Sequence, residues 1–249
     1  TARKKLVNRS YFNQRYPNVT ETNFSNEIVA LTEFISTSPQ SEFSDPKIFN
    51  RYFDLENIID WHLLILVTNN GDGFHKNYYL SRKGINAPFL FTPWDYDHSF
   101  GREGDGELTK ETIVNLSKMP LLNRLMETNP FNYRKRLYDK FMALKKSGVL
   151  TVAHLHEMID ANKALIEPSM TENSALWPLD AIGFFKDATF NSEVKLMKDW
   201  VEVHLPRLEA YLAEEAKRPT KTIAQVVLKA QVPIGNLPMT SEVNIDLSK

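Results

Sequence analysis

Cysteine is absent from all 249 residues, which excludes disulfide staples, thiolate catalysis and zinc sites built on Cys. The redox compartment stays open, because a chain without Cys suits either. An excess of one charge sign is also missing. Thirty Lys+Arg stand against 31 Asp+Glu, a formal net charge of -1, so no global field draws the chain to nucleic acid or an anionic membrane. No apolar run approaches the roughly 20 residues that span a bilayer. The best, Leu63 to Val67, is interrupted within a few positions on either side. Neither nucleic-acid binding nor membrane insertion is expected. Glycine is scarce, at 9 residues, and no Gly-x-Gly-x-x-Gly or Gly-x-x-x-x-Gly-Lys occurs, so the usual phosphate-cradling loops are lacking. The chain opens with Thr1 and shows no signal-peptide core; a processed form or a piece of a longer protein is expected. What is present, 42% hydrophobic and 24% charged residues, suffices for one sizeable core or two small ones.

Hydrophobic spacing predicts a mainly helical chain. Glu21 to Ser36 carries apolar residues near helical spacing, and Thr37 to Pro46 reads as a polar loop. Asp54 is an N-cap candidate for a long helix running to about Val67, which Asn69, Asn70 and Gly71 then stop. Tyr78 to Arg82 and Phe89 to Thr92 are short, aromatic and separated by a Gly/Asn/Pro-containing stretch, the pattern of a hairpin. A mobile loop is expected from Gly101 to about Gly106. Helical periodicity returns over Leu121 to Met126, Pro130 to Lys146, Thr151 to Glu167 and Asn191 to Ala216, with Thr151 and Ser192 as cap candidates. Trp177 to Phe185 reads as an apolar connector. The pattern changes after Pro219. Residues 1–216 are therefore expected to form one unit, and 217–249 a tail that is either an added strand or the start of a further module.

Most polar side chains suited to chemistry fall in two turns, Asn70-Gly71-Asp72-Gly73-Phe74-His75-Lys76-Asn77 and Pro93-Trp94-Asp95-Tyr96-Asp97-His98-Ser99-Phe100-Gly101. Asp72 and Asn77 stand five positions apart just ahead of a strand, the spacing of a kinase catalytic loop. Aspartate can accept the proton of an incoming hydroxyl, and the neutral Asn oxygen can ligate Mg²⁺ without adding charge beside that base. A hairpin returns its end to the neighbourhood of its beginning, so Asp95 can share an ion with Asn77. Taken alone, Asp and Asn in such turns are ordinary caps and turn formers. The second turn shifts the balance, because Asp95 and Asp97 repel each other unless a cation or Arg lies nearby. A calcium loop beginning at Asp95 fails at its sixth position, Phe100, and at its twelfth, Gly106.

These two segments resemble the CotH family, the spore coat protein H type of atypical protein kinase. Phe53 to Asp60, Pro120-Leu121-Leu122 and Asn129-Pro130-Phe131 extend the likeness over about residues 20 to 212. The resemblance implies the C-terminal lobe of a protein-kinase-like α+β fold, mainly helical, with a small central hairpin carrying the acidic site. It implies Mg²⁺ and ATP as cofactors and Ser or Thr of protein substrates as acceptors. Carried over by position, Asp72 is the catalytic aspartate, Asn77 and Asp95 hold the metal-bound cofactor, and Asp97 is a further metal contact. Cell-surface, secreted or spore-coat association follows from the resemblance alone. About 53 residues precede the long helix, and Lys4 and Lys5 lie too near the terminus to serve as the phosphate lysine of an N-terminal lobe. The expectation is the C-terminal lobe of a larger protein; a catalytically inactive kinase-like scaffold or surface binding protein is the alternative.

Remaining polar residues receive plainer assignments. His75 and His98 are expected to hydrogen-bond rather than ligate a metal. Lys76 reads as a solvated turn lysine, and Trp94 as a core plug that sets the angle of Asp95. Without a positive lobe above it, the acidic cluster is expected to carry uncompensated negative charge.

Overall fold

The Asp54 carboxylate accepts a hydrogen bond from Asn57 N at 3.1 Å and starts the helix around which the molecule is built. In the computed structural model, which describes residues 12–102, 113–178, 188–220, 223–226 and 243–246, this central helix is preceded by α1 (Ser25–Thr37), α2 (Gln40–Phe43) and α3 (Pro46–Phe49). The helix itself is α4 (Leu55–Thr68), followed by the single turn α5 (Asp72–His75). Strands β1 (Tyr78–Ser81) and β2 (Leu90–Pro93) come next, then α6 (Pro120–Thr128), α7 (Tyr133–Lys146), α8 (Val152–Ile166), α9 (Met170–Leu176) and α10 (Phe190–Lys217). Two further strands, β3 (Ile223–Val226) and β4 (Val243–Asp246), pair with each other. The fold is mainly helical with little sheet, as expected. The expected loop at 101–106 and the connector at 177–185 fall largely outside the described residues, as does much of the tail.

Helix α4 is buried almost all round, through Ile58, Ile59, Trp61, His62, Leu63, Ile65, Leu66 and Val67, as a helix surrounded by other elements must be. Helices α7 and α10 and strand β2 all pack on it. Trp61 stacks on Phe91 of β2 with ring centroids 4.0 Å apart, and Tyr78 of β1 meets the Trp61 indole edge-on at 5.1 Å. The hairpin is antiparallel, with Tyr78 opposite Pro93 and Ser81 opposite Leu90. Asn57 fastens it to the helix: its amide donates to Phe91 O at 3.1 Å and accepts from Phe91 N at 2.7 Å. The side chain thereby supplies β2 with the pairing that another strand would give.

The stretch expected to be a polar loop, Thr37 to Pro46, instead contains α2 and ends on the first residue of α3. Single turns of four residues leave no periodicity to read, and they hold because Phe43 and Phe49 are fully buried. Arg124 on α6 seals the end of α1, donating to Ile35 O at 2.7 Å and to Ser38 O at 2.6 Å while lying 3.9 Å over the Phe43 ring. The cap of α10 is Thr189 rather than Ser192. The two residues form a reciprocal capping box, in which Ser192 is the third helical residue that bonds back.

Candidate active site

Helix α4 ends because Asn69 adopts a left-handed conformation, φ 53°. Its side chain then reaches Val114 N at 2.8 Å. Asn70, fully buried, accepts from Gly73 N at 2.8 Å, which winds the next residues into α5 and sets Asp72 as its first residue. The backbone carbonyl of Asp72 accepts from both Lys76 N and Asn77 N at 3.0 Å. The spacing of five between Asp72 and Asn77 is thus one helical turn closed by a wider bond.

The second turn is held against the first by Asn77. Its side-chain amide donates to the backbone carbonyl of Asp95 at 2.8 Å, and the backbone carbonyl of Asn77 accepts from Trp94 N at 3.0 Å. Asp95 needs such support, because its φ of 56° places a non-glycine residue in the left-handed region. Tyr96 turns inward and covers Gly73, where a Cβ would stand 2.8 Å from the tyrosine hydroxyl oxygen. Ser99 donates to the Tyr96 carbonyl, Ser99 N to Asp97 O at 3.0 Å, and Phe100 N to Thr68 O at 3.0 Å. Gly101, at φ +93°, lies so close to Trp200 of α10 that a Cβ would meet its ring at 2.6 Å. The next residue, Arg102, forms a bidentate pair with Glu193. The motif is therefore clamped at both ends.

Asp72 is not an unopposed charge. One oxygen, Oδ2, lies 3.0 Å from the Lys76 ammonium and 3.2 Å from His98 Nδ1. His98 Nε2 stands 3.7 Å from Asp97 Oδ2. The hydrogen bond and charge of Asp72 push Lys76 above its ordinary pKa, and Asp95 and Asp97 add to the effect, so all three carboxylates act on one ammonium. Two expectations change accordingly. Lys76 is a partner of Asp72 although its side chain is 66% exposed, and the cluster carries internal positive charge. Trp94 is no core plug: it is 57% exposed and meets Tyr79 edge-on with ring centroids 5.5 Å apart. His98 Nδ1 faces the Asp72 carboxylate, and the hydrogen bond at this residue is the one its backbone N donates to Asp97 Oδ1 at 2.9 Å. The i,i+4 spacing of Asp72 and Lys76 was the available signal for their pairing; the His98 contact crosses the hairpin and leaves none.

Among the described residues no group of three or more His, Asp or Glu side chains forms a ready-made metal cage. The donors at hand are the Asn77 amide oxygen and the carboxylates of Asp95 and Asp97, all hard oxygens. That set fits Mg²⁺ as it is usually held, by one or two carboxylates with water and substrate phosphates completing the shell. A hollow of about 360 Å³ near Asn123, Glu127 and Tyr211 shares no residue with these turns.

The profile of the CotH kinase protein family matches residues 2–205, a span that contains both turns and the helix between α1 and the hairpin. The chain belongs to the CotH kinase protein family. Over 135 residues it is 27% identical to the inner spore coat protein H of Bacillus subtilis (strain 168). That alignment takes in 54% of this chain and 36% of the relative. The CotH match begins well before residue 20, where the motif-based likeness begins. Sequence reasoning missed Gly73 and Tyr96, which pack together where the two turns meet, and Asn57, which ties the hairpin of this CotH chain to α4; it named Lys76 and His98 without their closeness to Asp72.

Proposed function

We propose that the protein carrying this chain transfers a phosphoryl group from Mg-ATP to Ser or Thr of protein substrates. The supporting observation is the juxtaposition of the two turns: the side chain of Asn77, five residues after Asp72, holds the backbone of Asp95 in its left-handed conformation. In this reading residues 1–216 are the C-terminal lobe of a kinase-like fold, and 217–249 are an added strand or the start of another module. Asp72 accepts the proton of the acceptor hydroxyl and orients it. Asn77, Asp95 and Asp97 would hold Mg²⁺, which would neutralise charge on the phosphoryl group as it passes from ATP to the acceptor oxygen and ADP leaves. A spore coat or other surface location is the matching proposal for where it acts. Among the described residues no helix is long and apolar enough to cross a membrane.

A kinase-shaped scaffold without catalysis is the rival reading, and the closure of Asp72 by Lys76 and His98 is the observation on its side. Radiolabelled phosphate incorporation by the full-length protein separates the two. Asp72→Asn is expected to lower incorporation by about 10²- to 10⁴-fold, the usual contribution of a positioned general base, and Asp95→Asn to abolish metal-dependent turnover, both with unchanged circular dichroism. Incorporation that survives the two substitutions together would overturn the catalytic assignment of these residues, and an unsubstituted protein that incorporates no phosphate would establish the scaffold.

A further inference from the structure

Within the phosphoryl-transfer reading, on which this step rests, we propose that His98 is the positioning residue that fixes the orientation of the Asp72 carboxylate. A carboxylate rotates readily about its Cβ–Cγ bond, because that torsion is broad and nearly two-fold. Asp72 therefore needs an anchor if one oxygen is to point at an acceptor hydroxyl. Two nitrogens lie close to Oδ2, Lys76 Nζ at 3.0 Å and His98 Nδ1 at 3.2 Å. With Oδ2 set between these two nitrogens, Oδ1 is assigned to the hydroxyl proton.

The two nitrogens differ in what they can fix. Lys76 ends a flexible four-carbon stem and its side chain is 66% exposed, so it supplies charge but little direction. The His98 ring is short, planar and only 33% exposed. Its backbone is wound tightly: His98 N donates to Asp97 Oδ1 at 2.9 Å, Ser99 N to Asp97 O at 3.0 Å, and Phe100 N is bound to the end of α4. Beyond it, Gly101 is wedged on Trp200. The imidazole is consequently carried by a clamped turn and spans the gap from Asp97, 3.7 Å from Nε2, to Asp72. Through that ring the turn carrying the metal-binding carboxylates sets the aim of the base on the other turn.

The test uses the full-length protein with Mg-ATP, and both casein and the protein itself as acceptors. His98→Ala, which removes the anchor, is expected to lower kcat roughly ten- to a hundredfold, the scale of a misaimed catalytic group, with KM for ATP within about twofold of the parent. His98→Asn places an amide nitrogen where Nδ1 stood and is expected to recover most of the lost kcat. A merely structural role would not distinguish Ala from Asn in this way. Loss of activity in Asp72→Asn with unchanged kcat in His98→Ala overturns this inference alone, as does a His98→Asn protein as slow as His98→Ala. Full activity in Asp72→Asn overturns Asp72 as the base and this inference with it, whereas an unsubstituted protein that transfers no phosphate overturns the phosphoryl-transfer reading itself.

Discussion

Gly73 is small because Tyr96 lies on it. A Cβ at Gly73 would stand 2.8 Å from the tyrosine oxygen, 3.0 Å from Cζ and 3.4 Å from the side chain of Asn70, so the close approach of the two acidic turns depends on a missing methyl. The Tyr96 hydroxyl is buried without a hydrogen-bond partner of standard geometry among the described residues, and burial pushes its pKa up to about 12, against a smaller opposite pull from Trp61. Removing that oxygen sacrifices little, because a buried unsatisfied group costs more than it contributes. Gly73→Ala is expected to destabilise the chain by about 1 to 3 kcal/mol through overpacking, and Tyr96→Phe by less than about 1 kcal/mol. The double variant should recover part of the Gly73→Ala loss, since the ring edge then ends one atom sooner. Urea titration of the four proteins gives the coupling; strictly additive losses would show that the two residues do not contend for the same space. Neither feature was legible beforehand, because a glycine and a tyrosine 23 positions apart have no sequence relationship until the hairpin folds.

The elements that frame the site were legible in proportion to their length. Helix α4 announced itself through an Asp cap, a long apolar run and an Asn-Asn-Gly stop, and its observed bounds, Leu55–Thr68, differ from the expected ones by about a residue. The hairpin strands were also readable, shifted by a single position from Phe89 to Leu90. Helices α2, α3 and α5, four residues each, were not, since one turn gives no repeat and is held by its burial instead. Tertiary ties between elements left no trace in the sequence, and Asn57 is the clearest case. Its two bonds to Phe91 hold β2 against α4, so Asn57→Ala leaves a backbone donor and acceptor unpaired beside Trp61. A loss of about 2 kcal/mol is expected from unsatisfied groups of this kind, read by thermal or urea denaturation. Hydrogen exchange should show the hairpin amides losing protection while those of α7 and α10 keep theirs. Uniform loss across all elements would mean that Asn57 supports the whole core and not this junction.

At the scale of the molecule, the acidic turns sit on a core whose two buried histidines make it sensitive to acid. His62 on α4 bonds through Nδ1 to the Tyr133 hydroxyl of α7 at 2.8 Å; His204 on α10 donates from Nε2 to Leu66 O at 2.7 Å and stacks on Trp200, the residue that backs Gly101. Both are fully buried, and their other ring nitrogens have no partner among the described residues. Burial lowers the His62 pKa to about 3 and the His204 pKa to about 4. A depressed folded-state pKa means that the unfolded chain takes up these protons first, so stability is intact above the ordinary histidine value near 6.5 and falls as pH drops below it. The decline continues until the folded-state values are reached. Between pH 7 and pH 5 each histidine is expected to withdraw roughly 2 kcal/mol, before most carboxylates begin to titrate. Because His204 lies directly behind Trp200, the loss should loosen the α10 contact that clamps the second acidic turn. Urea midpoints at pH 7, 6 and 5 measure the slope, and His62→Gln and His204→Gln should each remove about half of it even where they lower stability at pH 7. A doubly substituted protein that loses as much stability over this range as the parent would place the acid sensitivity outside the core.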